Sequence, residues 1–173
     1  MNNYYNNKIK KQFNATCGGA FGLTLIEIII YVAIVGLMSM ALTMMMINIM
    51  QLKTKSMAMQ EVNHTLRFVS DKINFEIRNA KNLGTITTSS IATDRAVFSL
   101  SSGNIVMTVG STVANLNSNL VNISSFVVIN LSSVDNKTKN INYAITGNYI
   151  NPGGRSEFNY SASVEGSAEV RSK

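Results

Sequence analysis

Glu27 is the only charged side chain in residues 23–52, and the run it sits in begins directly after a glycine, Gly22. A carboxylate inside an apolar helix costs roughly 2.5–3.5 kcal/mol at a membrane centre, so it needs a partner. Scission of the Gly22–Leu23 bond would supply one, because the new α-amine of Leu23 would lie within about one helical turn of Glu27. An ammonium and a carboxylate attract each other far more strongly in a low dielectric than in water. The chemistry this spacing offers is ion pairing at the start of an apolar helix.

That chemistry needs a helix to carry it. Residues 28–52 contain no Asp, Glu, Lys, Arg or His, and about 20 apolar residues suffice to cross a bilayer as a helix. Eight of the ten methionines fall between Met38 and Met59, a flexible, polarisable surface suited to adaptable packing. The residues before this run are polar and basic, with Lys8, Lys10 and Lys11, and close on Gly18-Gly19-Ala20-Phe21-Gly22. An ordinary secretory signal places its apolar segment ahead of the cut. Here the glycine-marked boundary precedes the apolar segment, so cleavage would leave the helix in the product. The three lysines favour a cytoplasmic leader, although Lys53 and Lys55 on the far side weaken an argument from charge alone.

Gly22 followed by Leu23-Thr24-Leu25-Ile26-Glu27-Ile28-Ile29-Ile30-Tyr31-Val32-Ala33-Ile34-Val35-Gly36 resembles the class III signal of type IV prepilins and pseudopilins. In that family a glycine precedes the cut and a glutamate is the fifth residue after it. Gly22 and Glu27 fit both positions. Gly18 and Gly19 fit less well, because the fifth residue after them is Leu23 or Thr24. Leu23 departs from the phenylalanine that is usual at the first mature position. The resemblance implies a prepilin peptidase that cuts Gly22–Leu23 and N-methylates Leu23. It also implies a Glu27 that pairs with the amine of a neighbouring subunit and sets the filament register. Gly36 would permit local unwinding or close helix contact, and the proline many major pilins carry further along this helix is missing.

Beyond Lys53 the pattern becomes amphipathic. Val62, Leu66, Val69, Ile73, Ile77 and Ala80 recur at three- and four-residue intervals, one stripe of a helix. Glu61, Arg67, Asp71, Lys72, Arg78 and Lys81 occupy the other side, and Gly84 is the expected stop. From Thr85 the signals are of β type. Residues 96–100 and 105–109 flank Ser101-Ser102-Gly103-Asn104 as a hairpin. Residues 124–131 and 141–146 form further strands, the second ending at Gly147. Asn151-Pro152-Gly153-Gly154 is the clearest loop, with a last strand over residues 157–164 and Val170. The expected fold class is α+β: a long N-terminal hydrophobic helix, the pilin stem, packed on a small antiparallel sheet head of four to six strands. The segments are a cleaved basic leader (1–22), a transmembrane or filament-core helix (23–52), its amphipathic continuation (53–83) and a β-rich head (84–173).

Composition narrows the function classes. The net charge of +6 falls to +3 once the three leader lysines are removed, leaving 12 Lys and Arg against 9 Asp and Glu. The remaining cations are scattered, whereas tracking nucleic acid phosphates needs a patch or stripe. Cys17, the only cysteine, lies in the leader, so the mature chain forms no disulfide. Lys10-Lys11-Gln12-Phe13-Asn14-Ala15-Thr16 before it lacks the apolar run of a lipoprotein signal. His64, the only histidine, has just Glu61 at helical spacing, too few ligands for a metal. The head holds neither His nor Cys from which to build a triad. Asp135-Asn136 reads as a turn, with a calcium site like that of some pseudopilin heads as its alternative.

No catalytic residue, metal or cofactor is therefore expected. The leading expectation is a structural subunit of a type IV pilus or related filament. The long polar loops and the lack of a disulfide-closed C-terminal loop favour a minor pilin. Its partners would be prepilin peptidase, other pilin subunits, the pilus or secretion assembly machinery and the inner membrane, with the head extracytoplasmic. Alternatives are a minor pseudopilin of a type II secretion system and a membrane-anchored extracytoplasmic binding module with an uncleaved anchor.

Overall fold

The computed structural model describes residue 22 and residues 24–133 and 138–170. Residues 1–21 of the expected leader with Cys17, Leu23 and the turn expected at Asp135-Asn136-Lys137 lie outside the described residues. The chain divides into two compact units, Met1–Met46 and Ile47–Lys173. One helix, α1 (Leu25–Asn79), runs through both.

α1 starts where Thr24 caps it. The backbone N–H of Glu27 donates to Thr24 Oγ1 at 3.3 Å, and that of Ile28 to the Thr24 carbonyl at 3.2 Å. Leu, Ile, Ala and Met then extend the helix, and the polar residues in this stretch do not interrupt it. Ser39 and Thr43 turn their hydroxyls back to the carbonyls of Val35 and Ser39, each at 2.8 Å, which removes two donors that would be costly in an apolar medium. The helix passes unbroken through Gly36. Every large apolar side chain from Leu25 to Leu52 is exposed, Leu25 at 77%. By length and composition this stretch of α1 can cross a membrane.

From Ala58 onward the same helix is amphipathic in fact. Ala58, Val62, Leu66, Val69, Ile73 and Ile77 are buried, and Ala80 continues the stripe past the helix end. Burying each larger member contributes about 1.5–3 kcal/mol. α1 ends at Asn79, four residues before Leu83, and the reason is tertiary. The Lys81 N–H is captured by Asp94 Oδ1 at 3.1 Å, and the Asp94 N–H by the Asn82 carbonyl at 3.2 Å. Those contacts hold the chain in an extended path.

The stripe packs on two antiparallel sheets, so the α+β class holds. The first is a meander in chain order: β1 (Leu83–Thr87), β2 (Ser90–Thr93), β3 (Val97–Ser101), β4 (Asn104–Val109) and β5 (Thr112–Asn115). The second is β6 (Val121–Asn130), β7 (Asn140–Tyr149) and β8 (Ser161–Glu169). Ile91, Phe98 and Ile105 from the first sheet join Val121, Ile123, Phe126, Ile141, Tyr143 and Ile145 from the second in one core with the helix stripe. At the β6 edge, Val128 donates to the Thr88 carbonyl at 3.0 Å and Ile123 to the Gly103 carbonyl at 2.8 Å. Two turns of the first sheet thus use β6 donors that an edge strand would leave open.

Several strand expectations need correction. Among the described residues there are eight strands in two sheets, not four to six in one. β1, β2 and β5 are only four or five residues long and too rich in Thr, Ser and Asn to show a period. Gly84 is not the helix stop: it lies inside β1, within a register shift between Leu83 and Ile86, where an added Cβ would sit 3.3 Å from Ala92 Cβ. Gly147 does not end a strand but lies within β7, because a Cβ there would crowd Leu66. Glu157 belongs to a 3-10 turn, Ser156–Phe158, ahead of β8. The hairpin at Ser102-Gly103 is as expected, with Ser101 paired to Asn104 and both turn residues at positive φ, the requirement of a type I′ turn.

Candidate functional site

Of the site residues singled out by the sequence, the described ones, Gly22 and Glu27, lie at the N-terminal end of α1. Gly22 is exposed and has open space around it. Thr24-Leu25-Ile26-Glu27 has the capping-box sequence, and its forward half forms through Thr24 Oγ1. The return bond is replaced. Glu27 Oε1 instead accepts a hydrogen bond from the Tyr31 hydroxyl, one turn further along, at 3.0 Å. Glu27 Oε2 makes no hydrogen bond or ion pair among the described residues.

The electrostatics favour an anion here, since the first turn of a helix presents unpaired N–H groups and a partial positive charge. No other formal charge follows until Lys53. The arrangement can therefore hold one carboxylate, half satisfied, at the mouth of the uncharged stretch of α1 that runs to Leu52. It suits pairing with an ammonium group. The Glu27–Tyr31 spacing of four was open to sequence reading, and only the prominence of the glycine–glutamate spacing obscured it.

The other positions considered are elsewhere. His64 is exposed on α1 with Glu61 half-buried beside it. Among the described residues no three of His, Cys, Asp and Glu come together as a metal site. The second half of α1 does carry a buried carboxylate that sequence reading missed. Glu76, 6% exposed, takes Lys72 Nζ at 3.0 Å and Arg95 Nε at 3.3 Å. Lys72 at i−4 was visible in the sequence, but Arg95 arrives on the β2–β3 turn and only the fold brings it there. This trio ties helix to sheet.

A second polar tie is Tyr143 on β7. Its hydroxyl meets Ser70 Oγ at 2.9 Å, the Ser70 carbonyl at 3.0 Å and Asn74 Oδ1 at 2.8 Å. Burial pushes its phenol pKa above the ordinary value, and the hydrogen bond with Ser70 only partly offsets that. Gly166 on β8 leaves room for the ring, because a Cβ would come within 2.4 Å of it.

Two concavities belong to the head unit. One, about 470 Å³, lies between α1 and the loop before β8, lined by Asn48, Gln51, Leu52, Lys55, Ser156 and Glu157. The Glu157 carboxyl is held below its usual range by its own backbone N–H and by Arg155. The other, about 360 Å³, is uncharged and rich in amides at the end of the first sheet. Its back wall is Asn117, which receives the Ile105 N–H at 2.9 Å and donates to the Val121 carbonyl at 2.7 Å. Both bonds are internal, and they mark Asn117 as a clamp on the loop between β5 and β6.

Comparison with family models, with curated proteins and with solved structures finds no match for this chain. The molecule presents a long N-terminal helix, apolar and membrane-capable at its start, packed further along on antiparallel sheets. That architecture is compatible with a pilin-like fold.

Proposed function

We propose that this chain is a structural subunit, a minor pilin, of a type IV pilus or a related filament such as a type II secretion pseudopilus. The observation that carries the reading is the sequence of features at one helix end. Gly22 precedes a capped helix whose first turn holds the lone carboxylate Glu27, and the apolar surface that follows is wholly uncovered. Such a surface must be covered by lipid or by other helices, and a filament of stems offers the second when the first is left behind.

In this reading a prepilin peptidase removes residues 1–22 and methylates the Leu23 amine. The mature chain waits in the inner membrane with its head extracytoplasmic, then enters the filament through α1. Glu27 meets the amine of a neighbouring subunit and fixes its axial position. The chain has no catalytic task and calls for no cofactor or nucleic acid.

The test is the intact mass and N-terminal sequence of the protein recovered from its own cells. A chain starting at Leu23, heavier by one methyl group, is the expected result. A chain still starting at Met1 overturns the filament reading in favour of an anchored binding module.

A further inference from the structure

The Tyr31 side chain has no role in the reading above, yet among the described residues it is the one group that hydrogen-bonds the Glu27 carboxylate. Its hydroxyl donates to Glu27 Oε1 at 3.0 Å across one helical turn. The residue is 54% exposed on an uncovered stretch of helix. Phenylalanine, leucine or isoleucine would serve an apolar surface equally well, and none of them carries a donor.

We propose that Tyr31 is a positioning residue for Glu27: it occupies Oε1 and presents Oε2 as the free acceptor for the α-amine of a neighbouring pilin subunit. The inference rests on the filament reading and names the geometry of its central contact. One physical effect supports it. A side chain held in one rotamer loses less freedom when its partner arrives. Without the hydroxyl, Glu27 becomes a more mobile carboxyl in an apolar stem.

The competing role for Tyr31 is that of an interfacial anchor, since tyrosine rings favour the membrane–water boundary. Tyr31→Phe separates the two, because it keeps the ring and removes only the hydroxyl. The full-length precursor and this variant are expressed in cells that process the protein. Sheared filaments are compared with the membrane fraction, and each product is sequenced from its N-terminus. In parallel, the Glu27 side-chain carboxyl carbon is followed by 13C NMR in detergent micelles.

The expected result is normal cleavage of the variant, a shifted Glu27 carboxyl resonance and a roughly tenfold or greater fall in filament incorporation, the scale of losing a hydrogen bond to a charged group. In a Glu27→Ala background, adding Tyr31→Phe should cause no further fall. An unchanged resonance, or incorporation at the original level, overturns the inference. A fall of equal size in the Glu27→Ala background also overturns it and leaves Tyr31 as an anchor. If the unmodified protein keeps its leader or never enters filaments, it is the filament reading that has failed, while the resonance still decides whether the contact exists.

Discussion

Leu66 of α1 and Gly147 of β7 meet at a point where a side chain on the strand would be crowded. A Cβ at position 147 would lie 3.2 Å from Leu66 Cδ2, 3.2 Å from Ile123 Cδ1 and 3.4 Å from Val121 Cγ1. The glycine lets the helix stripe settle onto the sheet, and three side chains of the core fill the space it leaves.

Substituting that glycine should therefore loosen the head despite the better strand propensity of the replacement. Alanine would gain about 0.5–1 kcal/mol from backbone entropy, but overpacking a filled core costs about 1–3 kcal/mol. Gly147→Ala should lower stability slightly and Gly147→Val more. Thermal unfolding of the detergent-solubilised protein, followed by circular dichroism, reads both; a Gly147→Val protein as stable as the parent would refute this packing argument.

Glu76 provides a second test. The carboxylate is buried while Lys72 and Arg95, with side chains 32% and 54% exposed, reach solvent. Glu76→Gln leaves no buried cation behind, so the loss should be about 1–3 kcal/mol, as for hydrogen bonds to a charged group, and below the roughly 3–5 kcal/mol of breaking a fully buried pair. Denaturant titration measures it. Arg95→Ala should cost less than Glu76→Gln, and the reverse order would show that the carboxylate is not the hub.

Tyr143 adds a dependence on pH with a definite sign. Its phenol pKa is raised in the folded state by burial, and an unfolded tyrosine titrates near about 10. The folded state then holds its proton where the unfolded state releases it. The stability contributed by the neutral phenol is complete below about pH 10 and is lost as pH rises through the folded value. Tyr143→Phe should cost about 1–3 kcal/mol at neutral pH by stranding the buried Ser70 hydroxyl, and its stability should fall less steeply in alkali. Equal slopes for parent and variant above pH 10 would contradict the assignment.

The β3–β4 turn makes opposite predictions for neighbouring residues. Ser102 and Gly103 have φ of 48° and 76°, and a Cβ on Gly103 would lie 1.9 Å from Asn122 Oδ1. Gly103→Ala should destabilise the head by more than about 1 kcal/mol through strain and clash together. Ser102→Asn should stabilise it by about 0.5 kcal/mol or more, because asparagine tolerates the left-handed region better and is favoured in this turn. Both follow from melting curves.

The sequence by itself determined the parts of this protein that depend on near neighbours along the chain. An uncharged run after Gly22, broken only by Glu27, defines the apolar half of α1 because a helix satisfies its own backbone and needs no distant partner. The stripe from Val62 to Ala80 names the buried face, since spacing of three and four residues survives any choice of fold. The Ser102-Gly103 turn is legible for the same reason. The tertiary structure decided what depends on residues far apart. It split the strands into two sheets, because short Ser- and Thr-rich segments such as β2 and β5 become strands only beside their partners. It placed Arg95 against Glu76 and Tyr143 against Ser70, pairs no local spacing announces. It also gave Gly84 and Gly147 their meaning: as isolated letters both read as stops, and only the approach of Ala92 and Leu66 shows them to be places where a side chain would be crowded.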